Sequence, residues 1–194
     1  MKIYDISQEV FSCAVYPGDP KPERKVMAST DSGAVCNLTA VSMCAHNGTH
    51  IDAPFHFIGD GKTVDQLELD TFVGDCFVAR HEGDVSAEDA KEILAKAKDA
   101  KRILIAGNVT VTGEAADVFA ASDIKLLGNE SQTVGPEDAP MQVHLILLGR
   151  GIALLEGIVV KDIAEGHYYL SAAPLNLGGA DGAPCRAYLI GDKG

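Results

Sequence analysis

The sequence predicts an α/β or α+β fold with one mixed, β-rich sheet and few helices. Three observations favour this class. Segments of strand character outnumber those of helix character, one clear helix stands between two strands, and 46% of the 194 residues are hydrophobic. A chain of this size can bury a full core, and a β-α-β order is typical of parallel strand pairing. We therefore expect residues 1–194 to form a single domain.

The clearest helix begins after Ser86. This serine can cap the first turn, which contains Glu88 and Asp89, and residues 90–100 are rich in Ala, Lys and Leu. Strand character at 74–79 and 102–106 completes a β-α-β unit. In chain order, the remaining elements are predicted strands at 2–6, 36–43, 124–127, 144–148, 158–160, 168–172 and 185–190, with a shorter helix at 114–121.

The charge and the termini exclude some classes of partner. The net charge is −12 and the pI is about 4.8, so the surface repels phosphate backbones and anionic lipid. No apolar run reaches the roughly 20 residues of a membrane span, and the N-terminus lacks the apolar core of a signal peptide. We expect a cytoplasmic protein that acts on a small molecule. The five cysteines show no CxxC pair, which predicts buried thiols.

Eleven residues, 46–56, contain three of the six histidines and one aspartate. A glycine and a proline within the segment argue against a regular helix. In an extended chain, residues two apart face the same way, so His50 and Asp52 could share one cavity. A turn could bring His46 back toward them, and His56 would follow the proline bend. Imidazole and carboxylate together suit Zn²⁺, Mn²⁺ or Fe²⁺.

This segment closely resembles the HxGTHxDxPxH signature of the cyclase family, which contains bacterial kynurenine formamidases and has isatin hydrolases as relatives. Every fixed position of the signature is present. Further similarity lies in the Tyr-Pro-Gly-Asp turn at 16–19, in the segment 60–65, and in the Asp-Gly-Ala-Pro-Cys-Arg stretch at 181–186. The family resemblance implies a swivelling β/β/α fold and a homodimer or a higher homo-oligomer.

The resemblance also implies two divalent metal ions per chain, with Zn²⁺ expected and Mn²⁺ as the alternative. His46, His50 and Asp52 match three of the family's ligands, with Asp52 bridging. The family has a late histidine and a glutamate twelve residues after it, which His144 and Glu156 match. His56 matches the residue with the acid/base role. The implied reaction is hydrolysis of an amide-type C–N bond by metal-activated water, with N-formylkynurenine as the first candidate substrate.

Tyr16 and Asp19 are the candidate substrate-binding residues. Tyr16 stands where kynurenine formamidases typically carry tryptophan, and this chain has no tryptophan. An aryl substrate favours a flat apolar wall, to which Tyr16, Phe11 and Phe57 could contribute. The segment 129–140 departs from the family pattern, and its Glu130-Ser131 pair receives no role.

Each assignment has a structural alternative. His46, His50 and Asp52 could form a satisfied buried cluster, His56 could bond a loop carbonyl, and His144 could be an ordinary core histidine. At the level of function, the alternatives are a hydrolase of cyclic amides or imides, as isatin hydrolases are, and a non-catalytic metal-binding module. A closed four-coordinate ion would mark the last of these.

Overall fold

The structure is a computed structural model, and it describes residues 1–191. Its thirteen strands are β1 Lys2–Asp5, β2 Glu23–Ala28, β3 Leu38–Ser42, β4 His50–Asp52, β5 Val73–Arg80, β6 Gly83–Val85, β7 Arg102–Ala106, β8 Val109–Val111, β9 Leu126–Asn129, β10 Ala153–Glu156, β11 Gly166–Ser171, β12 Gly182–Pro184 and β13 Tyr188–Gly191. Its three α-helices are α1 Ala87–Ala97, α2 Gly113–Ala120 and α3 Met141–Leu148. The predicted mixed, β-rich class is confirmed.

Nine strands form one mixed sheet in the order β1-β13-β11-β5-β7-β9-β10-β4-β12. The four strands β5, β7, β9 and β10 pair in parallel, and every other pair in this sheet is antiparallel. A helix lies on each connection between the parallel strands, with α1 before β7, α2 before β9 and α3 before β10. The predicted β-α-β unit is therefore present, and it is repeated along the chain.

The two faces of this sheet bury separate cores. Alternate residues of the parallel strands face the helices, such as Phe77, Ile103 and Leu154, and pack with apolar side chains of α1, α2 and α3. Their neighbours in sequence face the opposite side, where Leu104 and Leu155 pack with residues of β4, β11 and β13. Two shorter sheets, β2-β3 and β6-β8, lie outside the main one. None of the helices among residues 1–191 is long and apolar enough to cross a bilayer.

The predicted strand at 144–148 is wrong, because these residues belong to helix α3. A short apolar run does not distinguish a buried strand from a buried helix. The buried positions in α3 are Val143, His144, Leu147 and Leu148, a spacing that follows the helical period rather than alternation. The helix begins after Pro140, where a proline is tolerated because the missing amide would have no partner inside the helix.

The predicted strand at 158–160 is also wrong, because the strand in this region is β10, which ends at Glu156. Gly157 has φ +65° and stops the ladder there, and a Cβ at this position would lie 2.5 Å from the carbonyl oxygen of Gly48. Only glycine takes this conformation freely. Residues 158–160 still form backbone hydrogen bonds outside a strand. Ile158 N–H donates to Asn129 O, and Val159 N–H donates to Ile6 O. The hairpin strand β2 was not predicted.

Candidate metal centre

The candidate site lies on the helix-facing side of the sheet, where β4 pairs with β10. In this antiparallel pair His50 stands opposite Glu156, and Asp52 stands opposite Leu154. Leu154 packs in the core under the helices, so the His50, Asp52 and Glu156 side chains point to that same side. Helix α3 covers this edge and brings His144 to the same place. All four side chains are buried, with at most 2% of each residue exposed.

Asp52 and Glu156 each direct one carboxylate oxygen toward His46 or His50 and the other oxygen toward His144. Asp52 Oδ1 lies 2.8 Å from His46 Nδ1 and 3.3 Å from His50 Nε2, and Glu156 Oε2 lies 3.6 Å from His50 Nε2. On the other side, His144 Nε2 lies 3.5 Å from Asp52 Oδ2 and 3.3 Å from Glu156 Oε1. Neighbouring ligands around a tetrahedral Zn²⁺ stand about 3.3 Å apart, given metal–ligand distances near 2.0–2.1 Å. These spacings therefore suit side chains that coordinate a metal ion.

Polar atoms left without a partner support this fit. His50 Nε2 and Asp52 Oδ2 are buried and make no hydrogen bond, although an unsatisfied buried polar group costs free energy. The opposite nitrogens of the histidines are all bonded to oxygen. His50 Nδ1 lies 2.9 Å from Gly48 O, His144 Nδ1 lies 2.9 Å from Pro140 O, and His46 Nε2 lies 2.8 Å from Asp181 Oδ2. Such bonds are typical of metal-ligating histidines, because they turn the other nitrogen toward the ion.

The pKa shifts indicate that the two carboxylates favour positive charge in the cluster. Burial alone would lower the pKa of His144, but the neighbouring Asp52 and Glu156 carboxylates raise it to about 10. The pKa of His50 is raised well above its ordinary value by the same two carboxylates, against the effect of burial. Burial would raise the pKa of Asp52, but the three histidines hold it well below the usual range. Cations would meet the same demand in place of the protons.

Backbone contacts fix the position of the ligand segments. Val134 N–H donates to Glu156 Oε1 at 2.9 Å, which aims this carboxylate at His144. Thr49 Oγ donates to Gly157 O at 2.7 Å, and Gln8 N–H donates to Thr49 Oγ at 2.9 Å. The segments that contain the early and the late candidate ligands are thus bonded to each other directly beside the cluster.

His56 lies beside the cluster, at the end of a short 3₁₀ turn, Pro54–His56. Its ring stacks on His46 with centroids 4.0 Å apart and 30° between planes, and its Nδ1 lies 3.1 Å from Asp181 Oδ2. His46, Asp52 and His56 each offer one donor atom within 4.8 Å of the others. His56 thus lies within reach of the candidate metal site, while its bond to Asp181 uses one of its two nitrogens.

A cavity of about 260 Å³ opens onto the cluster. Tyr16 and Asp19, the candidate substrate-binding residues, border this cavity, and Phe57 is also in its wall. Phe11 is not, because it is 40% exposed and borders a different cavity. The residues that line the cavity are Tyr16, Asp19, His46, His50, His56, Phe57, Gln132, Thr133, Pro140, His144 and Glu156.

Sequence reasoning missed three polar residues. Gln132 and Thr133 border the cavity, and Gln132 Oε1 and Thr133 Oγ are buried without a hydrogen-bond partner. Asp181 accepts from both His46 and His56, and these contacts hold its pKa below the usual value despite partial burial, which would raise it. The only signal for Asp181 was the family resemblance of the Asp-Gly pair near the C-terminus. Spacing gave no signal, because Asp181 lies 125 positions after His56.

Comparisons with known proteins show which proteins this chain is similar to. A family model described as "Putative cyclase" matches residues 4–136. A kynurenine formamidase from Bacillus cytotoxicus is 33% identical over 203 residues, covering 95% of each chain. A solved structure described as a potential metal-dependent hydrolase with cyclase activity superposes with a TM-score of 0.83 at 26% identity, covering 100% of this chain and 99% of the other. Isatin hydrolase A from Labrenzia aggregata has a TM-score of 0.85 at 20% identity, covering 98% and 94%, a likeness of fold alone.

Proposed function

Since this chain belongs to the cyclase family, we propose that it is a metal-dependent hydrolase that cleaves an amide-type C–N bond. The observation that carries this proposal is that Asp52 and Glu156 each direct one oxygen toward His46 or His50 and the other toward His144. We assign His46, His50, Asp52, His144 and Glu156 as the residues that hold two divalent cations, Zn²⁺ in the first instance and Mn²⁺ as the alternative. When bound, such a pair supplies a water of lowered pKa and polarises a carbonyl group.

His56 is the group that we assign to proton transfer. Its Nδ1 is occupied by Asp181, so Nε2 remains as the nitrogen that can take a proton from the attacking water and give it to the leaving nitrogen. The amide C–N bond breaks, the carbonyl carbon gains the water oxygen, and the amine leaves with the proton. No step needs a covalent bond between substrate and protein.

For the substrate we propose N-formylkynurenine, which would yield kynurenine and formate. The wall residues Tyr16 and Phe57 support an aromatic substrate, since both line the cavity and flat apolar rings pack well on an aryl group. Gln132 and Thr133 border the same cavity with unpartnered polar atoms, which suit hydrogen bonds to the substrate's own polar groups. A cyclic amide of the isatin type is the second candidate, favoured by the same walls.

The proposal is tested by assaying the Zn²⁺- and Mn²⁺-loaded protein on N-formylkynurenine and on isatin in parallel, with elemental analysis of the loaded chain. We expect two ions per chain and turnover of one substrate. His50→Ala should lose bound metal, whereas His56→Ala should keep both ions and lose turnover by about 10²–10⁴-fold. His167→Ala, at an exposed histidine, is the matched control.

Two outcomes would contradict the proposal. A protein that binds no metal under these conditions removes the ligand assignment. A protein that binds two ions but hydrolyses neither substrate supports instead a metal-binding module without catalysis. If His56→Ala loses an ion, His56 is a ligand rather than the proton-transfer group.

We also propose that the protein is a homodimer in solution. The hairpin β2-β3 supports this, because every residue of β3 and five of the six residues of β2 are exposed. Val26, Met27, Leu38 and Val41 are each at least 54% exposed. A two-stranded hairpin is marginally stable by itself, and a large exposed apolar patch is typical of an interface.

A further inference from the structure

One carboxylate oxygen stands between two imidazoles of the site. Asp181 Oδ2 lies 2.8 Å from His46 Nε2 and 3.1 Å from His56 Nδ1. The two rings stack on each other with centroids 4.0 Å apart. His46 and His56 line the cavity, whereas Asp181 is not among the residues that border it.

The chain fixes Asp181 in this place through the edge of the sheet. Strand β12 begins at the next residue and pairs antiparallel with β4, with Gly182 opposite Asp52. Ala53 N–H donates to Asp181 O at 2.9 Å. A Cβ at Gly182 would lie 2.8 Å from His46 Cε1, so the backbone beside Asp181 packs directly on the His46 ring. The backbone of Asp181 is therefore bonded directly to the segment that carries Asp52.

An ionised carboxylate only accepts hydrogen bonds, so each ring nitrogen that faces it must carry a hydrogen. For His46 that nitrogen is Nε2, while Nδ1 faces Asp52 Oδ1, 2.8 Å away, and is the nitrogen that could exchange its hydrogen for a cation. For His56 it is Nδ1, which leaves Nε2 as the basic nitrogen. One oxygen thus holds a hydrogen on Nε2 of His46 and on Nδ1 of His56, so the opposite nitrogen of each ring is left for a cation or for proton exchange.

We infer that Asp181 is the positioning residue of the site: it orients His46 to ligate a cation through Nδ1 and His56 to exchange a proton through Nε2. This inference rests on the proposed function for its effect on turnover. Because Asp181 acts through the two rings and not on the substrate, its loss should reduce kcat far more than it changes KM. A carboxylate that orients a catalytic imidazole is worth up to about 10⁴-fold in kcat in serine proteases.

The test compares Asp181→Asn, Asp181→Glu and the control Asp99→Asn, which replaces an exposed aspartate after helix α1. Asparagine keeps the size of the side chain but offers one acceptor oxygen and no charge, while glutamate keeps the carboxylate. At saturating Zn²⁺ we expect Asp181→Asn to lower kcat by about 10²–10⁴-fold with KM changed less than about threefold. Its Zn²⁺ affinity should fall by about 10–100-fold. Asp181→Glu should recover part of both losses.

A second readout needs no turnover. Ring ¹⁵N chemical shifts of the metal-free protein report the His56 tautomer, which should be the Nδ1–H form in the wild type and a mixture in Asp181→Asn. The inference is overturned if Asp181→Asn matches Asp99→Asn in Zn²⁺ affinity and leaves the His56 tautomer unchanged. If the wild type binds Zn²⁺ but hydrolyses nothing, the proposed function fails, while the affinity and the tautomer still decide the role of Asp181.

Discussion

At the scale of residues, the buried cluster keeps its charge balanced by protons whenever cations are absent. His144 has a pKa of about 10 in the folded chain, and the pKa values of His46 and His50 are raised as well. An unfolded histidine titrates near 6.5. Between these values the folded state binds more protons than the unfolded state, so folding stability falls as the pH rises. The stabilisation is complete below pH 6.5 and is lost on passing pH 10.

We therefore predict that chelated protein becomes less stable from about pH 6.5 to pH 10, by up to about 1.4 kcal/mol per pH unit for one full proton. Zn²⁺-loaded protein should not follow this trend, because cations bind better as histidines lose protons. Urea unfolding at several pH values, with EDTA or with Zn²⁺, measures both. His144→Gln should flatten the slope of the chelated protein, and His167→Gln should leave it. A chelated protein whose stability is constant or rises over this range would contradict the prediction.

At the scale of elements, β12 is held so close to β4 that its first residue must lack a side chain. A Cβ at Gly182 would meet Ile51 O at 2.6 Å and His46 Cε1 at 2.8 Å. At Gly178, four residues earlier, nothing lies within 4 Å of the same position. The two glycines therefore form a matched pair in which only one substitution changes the site.

We predict that Gly182→Ala pushes the His46 ring from its place, weakens Zn²⁺ binding and costs about 1–3 kcal/mol of stability. Gly178→Ala should stay within about 0.5 kcal/mol of the parent. Zn²⁺ titration and urea unfolding of the two variants measure these effects. Equal Zn²⁺ affinity in both variants would show that β12 tolerates displacement without disturbing His46.

The elements also show how far the sequence can be interpreted without a structure. The helix α1, with its Ser86 cap, and the strand Arg102–Ala106 follow from local signals that the fold keeps. Helix α3 was mistaken for a strand because its apolar run carries no period that is visible over five residues. The strand Glu23–Ala28 was missed because it buries neither face, so its sequence shows no alternation.

Some residues of the candidate site could likewise be inferred from local sequence, and others could not. Residues 46–56 lie close in sequence, so their spacing alone indicates a common cavity for His50 and Asp52. His144 and Glu156 came only from resemblance, because a pairing between a helix and a distant strand leaves no local signal. Gln132 and Thr133 were missed because their segment is irregular, and irregular backbone has no period from which to infer a direction.

At the scale of the whole molecule, the hairpin β2-β3 is the feature that a second copy would cover. Val41 is 54% exposed and also borders the cavity that contains Phe11 and Leu175, so the hairpin surface continues into a groove of the main body. Burial of such a surface between two copies would stabilise both the hairpin and the pair.

We predict that Val41→Asp converts a dimer to a monomer, because a charge that is buried in an apolar interface loses its hydration. Leu69→Asp, at a residue that is 69% exposed outside the hairpin, should leave the assembly unchanged. Sedimentation velocity at several concentrations distinguishes the two states. A wild type that sediments as a monomer at every concentration would contradict the dimer proposal.

Helix α3 approaches the sheet at its antiparallel edge, and His144 reaches from it to the Asp52 and Glu156 carboxylates. Ions bound there would fasten the helix to two strands at once, so their removal should release the helix before the sheet opens. In deuterated buffer, EDTA should then hasten isotope uptake at the amides of Met141–Leu148, while amides of the central parallel strands Val73–Arg80 and Arg102–Ala106 retain their hydrogen. The cations would thus hold helix α3 in place as one wall of the cavity, while the rest of the sheet stays folded with or without them.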